Sequence, residues 1–319
     1  MKKIVVVGLG NISHRHRKNI TILDPNAWII AIPSRKRRVD ESIDYANEII
    51  EDLDLLNLDD VTNAVIASPA SCHMSHSKIF FKKNIDVLIE KPLAGSLDDA
   101  LLINNFSSSS KSKSYVAYCL RFNKALKHFK ELLSYQQIGK LNSCEIHCGQ
   151  NLKDWRPKIH YKDSVSAKKE LGGGVVNELS HEIDYAQFLF GRIEILSSEL
   201  STKKFIGLDV EDTANIEAIN DKGMKIHIHL NFTQNNPERY CKVVGEKGVL
   251  KLDLIKNEVV HLKNKSEVLF SAIESNDMYL DMFRVFLGMP NKDFNEQHFC
   301  SLANSINVLE DIAKIKKYS

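Results

Sequence analysis

Short apolar runs separated by longer polar or amphipathic segments fill the first third of the chain. Ile4 to Val7, Trp28 to Ile32, Val61 to Ala67 and Ile85 to Ile89 are the four runs. Strand-length apolar segments alternating with helical patterns predict strands joined by crossovers, and hence a parallel sheet. The stretches IVVV and AVIA are continuously apolar instead of alternating, as in strands buried on both faces, so helices are expected to cover both sides of that sheet. The Ser-rich SSSSKSKS, Ser107 to Ser114, reads as a surface loop joining a helix that ends near Phe106 to a strand YVAYCL.

Beyond about Arg121 the pattern changes. An amphipathic helix over Ala125 to Ser134 and, after a long irregular stretch, a second helix lead into SSELSTKKF, DTANIEAI, MKIHIHLNF, YCKVVGE, GVLKLDL and EVVHLK. The turn sequences NDKG, NNP and EKG punctuate these segments and predict a largely antiparallel sheet. A last helix is expected over Glu296 to Lys317, where Phe299, Leu302, Ile306, Leu309 and Ala313 recur at three- and four-residue spacings and pack on one of the two cores. The fold class is therefore α/β for a first domain over 1–120 and α+β for a second over 121–319, with no internal repeat. A length of 319 residues suits two cores.

Composition narrows the partner. A formal net charge of +2 with 43% apolar residues lacks the basic excess of a nucleic-acid binder, which leaves a small molecule. The six cysteines include no C-x-x-C pair. Cys144 and Cys148 flank His147 in a strand-like segment, and free thiols in a reducing compartment are preferred there to a zinc site. The N-terminal apolar run is too short for a signal or a membrane span, so a cytoplasmic protein is expected, with no metal, membrane or nucleic-acid partner.

The first turn carries candidate chemistry. In VVVGLGNISHRH, Gly8 and Gly10 follow a strand and precede a helix, with Ser13 in the third position of G-x-G-x-x-G. Glycine permits positive φ and close approach of a pyrophosphate, while the helix start at Asn11 and Ile12 offers free N–H groups to an anion. At the tip of the second strand AIPSRKRR has no carboxylate before Asp40. Ser34 can hydrogen-bond a phosphate and Arg35 can engage one bidentately, which favours NADP(H) over NAD(H).

With VIASPASCHMSH and VLIEKPLAGS added, the chain resembles the glucose-fructose oxidoreductase, inositol dehydrogenase family (Gfo/Idh/MocA). The resemblance spans nearly all of the sequence: the Gly loop with His16 behind it, Ser68-Pro69 with His73, EKPLAGS, YCLRFN, IGKL, DWRP and GGGVVNELSHEIDYAQFLFG. It implies a Rossmann domain followed by a domain whose open sheet serves homodimer or homotetramer contacts, with a nicotinamide held between them. It further implies that Ser68, Pro69, His73 and Glu90 attend the cofactor. The Glu90–Lys91–Pro92 turn is expected under the nicotinamide, with Lys91 catalytic and the Lys-Pro peptide commonly cis. Arg121, in the stretch that crosses between domains, is a candidate for the substrate.

The second constellation follows Gly172 to Gly174. Residues from Val176 onward fit one helix, on which Asn177, Glu178, His181 and Asp184 can share a face. A satisfied core histidine would look the same in the sequence. The resemblance makes His181 an acid/base residue, but the family's commonest pattern has an aspartate where this chain has Asn177. Either Glu178 replaces it by a one-residue shift, or Asn177 orients the hydroxyl without titrating. His181, with an ordinary pKa near ~6.5, suits the base, and Lys91, near ~10.4, suits a cationic donor to the developing alkoxide.

The segment DWRPKIHYKDSVSAKKELGGG adds Trp155, Arg156, His160, Tyr161 and Lys168. Aromatics stack on sugar or base faces and arginine pairs with phosphate or carboxylate. Together these features predict hydride transfer at a secondary alcohol of a sugar, with a nucleotide sugar or sialic-acid-like sugar favoured and a place in surface-polysaccharide biosynthesis. The alternatives are an NADP(H)-binding sensor without turnover, and an enzyme that uses tightly bound nicotinamide transiently for internal oxidoreduction or elimination.

Overall fold

The computed structural model describes residues 1–155, 160–202, 207–262, 266–272 and 276–318. In chain order the first elements are β1 (Lys3–Val7), α1 (Asn11–Leu23), β2 (Trp28–Ile32), β3 (Glu48–Ile49), β4 (Val61–Ile66), α2 (His73–Phe81), β5 (Asp86–Ile89), α3 (Leu97–Ser108) and β6 (Ser114–Val116). Then come α4 (Lys124–Ser134), β7 (Leu141–Gly149), α5 (Val175–Glu178), α6 (His181–Phe190), β8 (Ile193–Ser201), β9 (Thr213–Asn220) and β10 (Lys225–Asn231). The chain ends with β11 (Glu238–Gly245), β12 (Gly248–Asp253), β13 (Glu258–Leu262), β14 (Glu267–Ser271), α7 (Asp277–Phe286) and α8 (Leu302–Tyr318). Contacts divide it into two units, Met1–Phe122 with Asn276–Leu309, and Asn123–Ser275 with Glu310–Ser319.

The first unit is built on a six-stranded sheet in the order β3-β2-β1-β4-β5-β6, with every pairing parallel. This is the doubly wound order, in which the connections reverse direction between β1 and β4, and ligands bind at the carboxyl ends of the strands beside that reversal. The continuously apolar runs are buried as expected: Ile4 to Val7 and Ala64 to Ile66 are all fully enclosed. One core gathers Ile4 and Val6 with Ile29, Val65 and Leu88, closed by Ile20 of α1 and Met282, Phe283 and Phe286 of α7.

The second unit holds an eight-stranded sheet, β14-β13-β12-β11-β7-β10-β9-β8. All its pairings are antiparallel except β7 with β10. Its strands alternate, so that Cys144, Ile146 and Cys148 are buried. His147 points to the other face and stacks on Tyr240 and His229 with ring centroids 5.1 and 5.0 Å apart. Period-two alternation thus separates this imidazole from the two thiols, so the three cannot meet on one metal ion. Cys144 Sγ instead lies 3.6 Å from Cys241 Sγ.

β6, the last helix and α7 differ from the pattern-based expectation. β6 stops at Val116, and Cys119–Phe122 form a 3-10 turn where a longer strand was expected. The last helix is interrupted: Glu296–His298 form a separate turn capped by Asn295, Phe299 is extended, and α8 starts only at Leu302. α7 was not expected at all, although Met278, Tyr279, Met282, Phe283 and Phe286 recur at helical spacing.

Candidate active site

In the first unit the carboxyl ends of β1, β4 and β5 bring together most of the residues predicted to attend a cofactor. Gly8 ends β1 with φ +117°, and a Cβ there would lie 2.3 Å from Ala67 O. Glycine is required there because the chain just after β1 passes against the chain just after its parallel neighbour β4. Gly10 differs: it is the N-cap of α1 at φ −79°, makes no side-chain cap and has nothing within 4 Å of a Cβ position. The first turn of α1, including Asn11 and Ile12, therefore presents backbone donors beside open space. This cradle fits a diphosphate, and an added side chain would fill it.

Behind it the chain is clamped. His73 is 1% exposed, with Nε2 at 2.8 Å from Ser68 O and Nδ1 at 3.1 and 3.2 Å from the Pro92 and Leu93 carbonyls. This ring ties the Ser68–Pro69 turn to the Glu90–Lys91–Pro92 turn. Burial pushes its pKa down, against the pull of those carbonyls and of Glu90. Ser68 Oγ lies 2.9 Å from His76 Nδ1. Burial, with the nearby His73, takes the His76 pKa down to about 4.

Glu90 Oε1 is 2.6 Å from His16 Nε2, which brings the first turns of α1 against the end of β5. Glu90 Oε2 accepts from the Lys91 N–H at 3.2 Å, and the Lys91–Pro92 peptide is cis. The Lys91 side chain is half-buried.

Ser34 and Arg35 follow β2. In the basic loop, Lys36 pairs with Asp52 and Arg38 with Asp40, at 3.2 and 2.5 Å. The Asp54 N–H, with help from Lys36, holds the Asp52 carboxyl below its ordinary value. Arg35 and Arg37 are exposed and make no ion pair among the described residues. Arg121 lies elsewhere in this unit, 4% exposed, with Nη1 donating to Phe299 O at 3.2 Å.

The remaining candidates fall in the second unit. The stretch expected to form one helix is broken: α5 ends at Glu178, and α6 begins at His181 after Leu179 and Ser180. Asn177 is engaged with the glycine entry, its Nδ2 donating to Gly172 O at 2.8 Å and Gly173 O at 3.3 Å. A Cβ on Gly173 would lie within 2.6–2.8 Å of three backbone carbonyls, so the triple glycine is a packed turn. His181 opens α6, and Asp184, one turn on, is buried. Trp155 packs edge-on to Phe232, and Tyr161 lies between His160 and the Lys153 ammonium. Arg156 lies outside the described residues.

Pattern reasoning missed Glu182 and Arg239. Glu182, directly after His181, is 0% exposed, and its Oε1 accepts from Arg239 Nε at 2.6 Å. Burial opposes the Arg239 charge, but the Glu182 carboxylate more than restores it and raises the pKa. A carboxylate on a helix beside a predicted acid/base residue was the available signal; its partner, 57 residues away, was not visible. A depression on the outer face of the sheet, lined by Glu145, Glu217, His227 and Lys242 among others, involves none of the candidate residues.

Comparison with known proteins agrees with these two units. Residues 2–117 match an oxidoreductase family of NAD-binding Rossmann fold, and residues 126–251 match the GFO/IDH/MocA C-terminal domain. Glucose-6-phosphate 3-dehydrogenase of Bacillus subtilis is 26% identical over 193 residues, 60% of this chain and 54% of that protein. The chain thus spans about half of that relative's length. The 2,7-anhydro-N-acetylneuraminate hydratase of Mediterraneibacter gnavus is 25% identical over 244 residues, 72% of this chain and 61% of that protein. Among solved structures, the WlbA dehydrogenase from Bordetella pertussis in complex with NADH and UDP-GlcNAcA superposes with a TM-score of 0.79 at 19% identity, covering 99% of this chain and 96% of that one.

Proposed function

Since the chain belongs to the Gfo/Idh/MocA oxidoreductase family, with its NAD-binding Rossmann domain, we propose that it is a sugar dehydrogenase or reductase that uses NADP(H), with NAD(H) as the weaker cofactor. The observation that carries this reading is the convergence at one carboxyl edge of an uncapped helix start, the open Gly10 and the Glu90–Lys91 turn, joined by the His16–Glu90 contact. When bound, the nicotinamide supplies a hydride acceptor or donor at C4. The chain's own residues do the rest. Backbone N–H groups at Asn11 and Ile12 hold the diphosphate, and Ser34 and Arg35 hold the 2′-phosphate. Lys91 stabilises the developing alkoxide, and His181 takes or returns the hydroxyl proton. Asn177, held by its glycine carbonyls, orients the substrate hydroxyl, while Glu178 is the alternative partner of His181. Trp155, Arg156, Tyr161 and Asp184 complete the sugar site.

The favoured substrate is a nucleotide sugar or an acidic sugar of the sialic type, in surface-polysaccharide biosynthesis. Names among the relatives support it: a sugar-phosphate dehydrogenase, and a dehydrogenase structure with a bound UDP-sugar. Six free cysteines, five of them buried, suit a reducing compartment such as the cytoplasm. The outer face of the second sheet is proposed to join subunits. A relative named a hydratase supports a second reading, in which a tightly held nicotinamide would serve only transiently, in an internal oxidoreduction or a glycosidase-like elimination.

Native mass spectrometry for retained cofactor, followed by a nucleotide-sugar panel read at about 340 nm, tests these readings. Substrate-dependent absorbance change supports net dehydrogenation. Product formation without net absorbance change supports the transient reading. Absence of any nicotinamide binding removes both.

A further inference from the structure

The pair behind the candidate catalytic lysine has an unusual charge balance. His16 is 0% exposed, with its ring against Phe283 at 5.0 Å and Tyr279 at 6.4 Å. Nε2 meets the Glu90 carboxylate, while Nδ1 is buried with no hydrogen-bond partner among the described residues. A neutral ring protonated at Nε2 leaves only an acceptor lone pair at the buried Nδ1. A second proton on Nδ1 would be a buried donor without an acceptor, an arrangement folded proteins avoid. His16 thus supplies a hydrogen bond but no charge. Glu90, 12% exposed, accepts that bond and the Lys91 N–H, and two N–H donors suit its ionised form.

Of the other groups around the pair, Tyr279 and His73 carry no charge of their own. Tyr279 of α7 has its pKa raised by Cys119 and by burial, so its phenol is neutral, and the Arg15 guanidinium sits over the Tyr279 ring at 4.7 Å. His73 has its pKa lowered by burial and is neutral. The pair carries one negative charge, and Lys91 follows it in the chain.

We propose that Glu90, kept as a carboxylate by the neutral donor His16, is the counter-charge that lets an ammonium at Lys91 coexist with the cationic, oxidised form of the nicotinamide, and so sets the relative affinity for oxidised and reduced cofactor. This rests on the reading above that the turn lies at the nicotinamide. The oxidised ring carries a positive charge and the reduced ring none, so a charge beside it acts on the ratio of the two affinities. His16 is a positioning residue acting through Glu90.

The test is direct binding of NADP+ and NADPH, with NAD+ and NADH alongside, by calorimetry and nicotinamide fluorescence. Glu90→Gln is expected to weaken NADP+ relative to NADPH by about tenfold. Lys91→Met should move the ratio the opposite way by a similar factor. His16→Leu, which leaves the carboxylate short of a donor, should shift the ratio in the same direction as Glu90→Gln. His16→Gln, which restores a donor, should stay at the wild-type ratio. A uniform loss for both redox forms, or the same sign for Glu90→Gln and Lys91→Met, overturns the proposal. If Glu90→Gln does not fold, the opposed signs of Lys91→Met and His16→Leu decide it. Wild-type protein that binds no nicotinamide overturns the functional reading itself; binding with an unmoved ratio overturns only this inference.

Discussion

Each proposed catalytic side chain stands next to a largely buried carboxylate, and the two carboxylates keep different company. Glu90, before Lys91, meets the His16 imidazole at 2.6 Å; Glu182, after His181, meets the Arg239 guanidinium at the same distance. Arginine remains charged at any physiological pH, so the second pair is neutral overall and its charges lie within one contact. On the proposal above, the imidazole brings no charge and the first pair keeps a full negative one. The first can therefore act electrostatically on a bound ring, whereas the second anchors α6 on β11.

The contrast is broken most severely by deleting the acid/base groups. His181→Ala is expected to lower kcat by about a thousandfold and Lys91→Met by about a hundredfold. Steady-state rates on the identified sugar check this, and wild-type turnover in either variant would remove that residue's role. Next in size is stability. Arg239→Met strands an uncompensated buried carboxylate and should cost about 3–5 kcal/mol in urea unfolding. His16→Leu should cost only about 1–2 kcal/mol, because Glu90 is partly open to water. Equal costs would refute the distinction.

Acid provides a third test. His76 has a folded pKa of about 4, below the ordinary ~6.5 of the unfolded chain, so between these values the unfolded state binds more protons. The stabilisation is complete above about pH 6.5 and is lost as pH falls toward 4, by roughly 1–2 kcal/mol after solvent screening. His73 shifts the same way. Hydrogen exchange should open α2 and the Glu90 turn before α6 in that window. The smallest effect on stability is expected from Gly10→Ala, within about 0.5 kcal/mol because the added Cβ meets nothing. Its cofactor affinity should nevertheless fall about tenfold, read by fluorescence titration, if the open space holds the diphosphate.

The legible features were those fixed by local pattern. Continuous apolar runs gave the parallel strands, G-x-G after a strand gave the turn into α1, and alternation gave the second sheet. His16 was visible only as a motif residue, since its contact with Glu90 spans 74 positions. Arg121 illustrates the opposite problem. An arginine in a domain-crossing segment looks available to a ligand, yet it is buried on a backbone carbonyl.

The amino-acid order by itself determined where chain direction, burial period and turn conformation change, because these depend on residues within a few positions of one another. It also determined the kinds of chemistry on offer, a lysine after a strand and a histidine on a helix. Tertiary structure decided the company those groups keep: an imidazole for one carboxylate, a guanidinium for the other, and a break between Asn177 and His181 that three- and four-residue spacing did not reveal. Charge state and orientation follow from neighbours distant in sequence, and low-dielectric packing makes their identity count for more than local propensity.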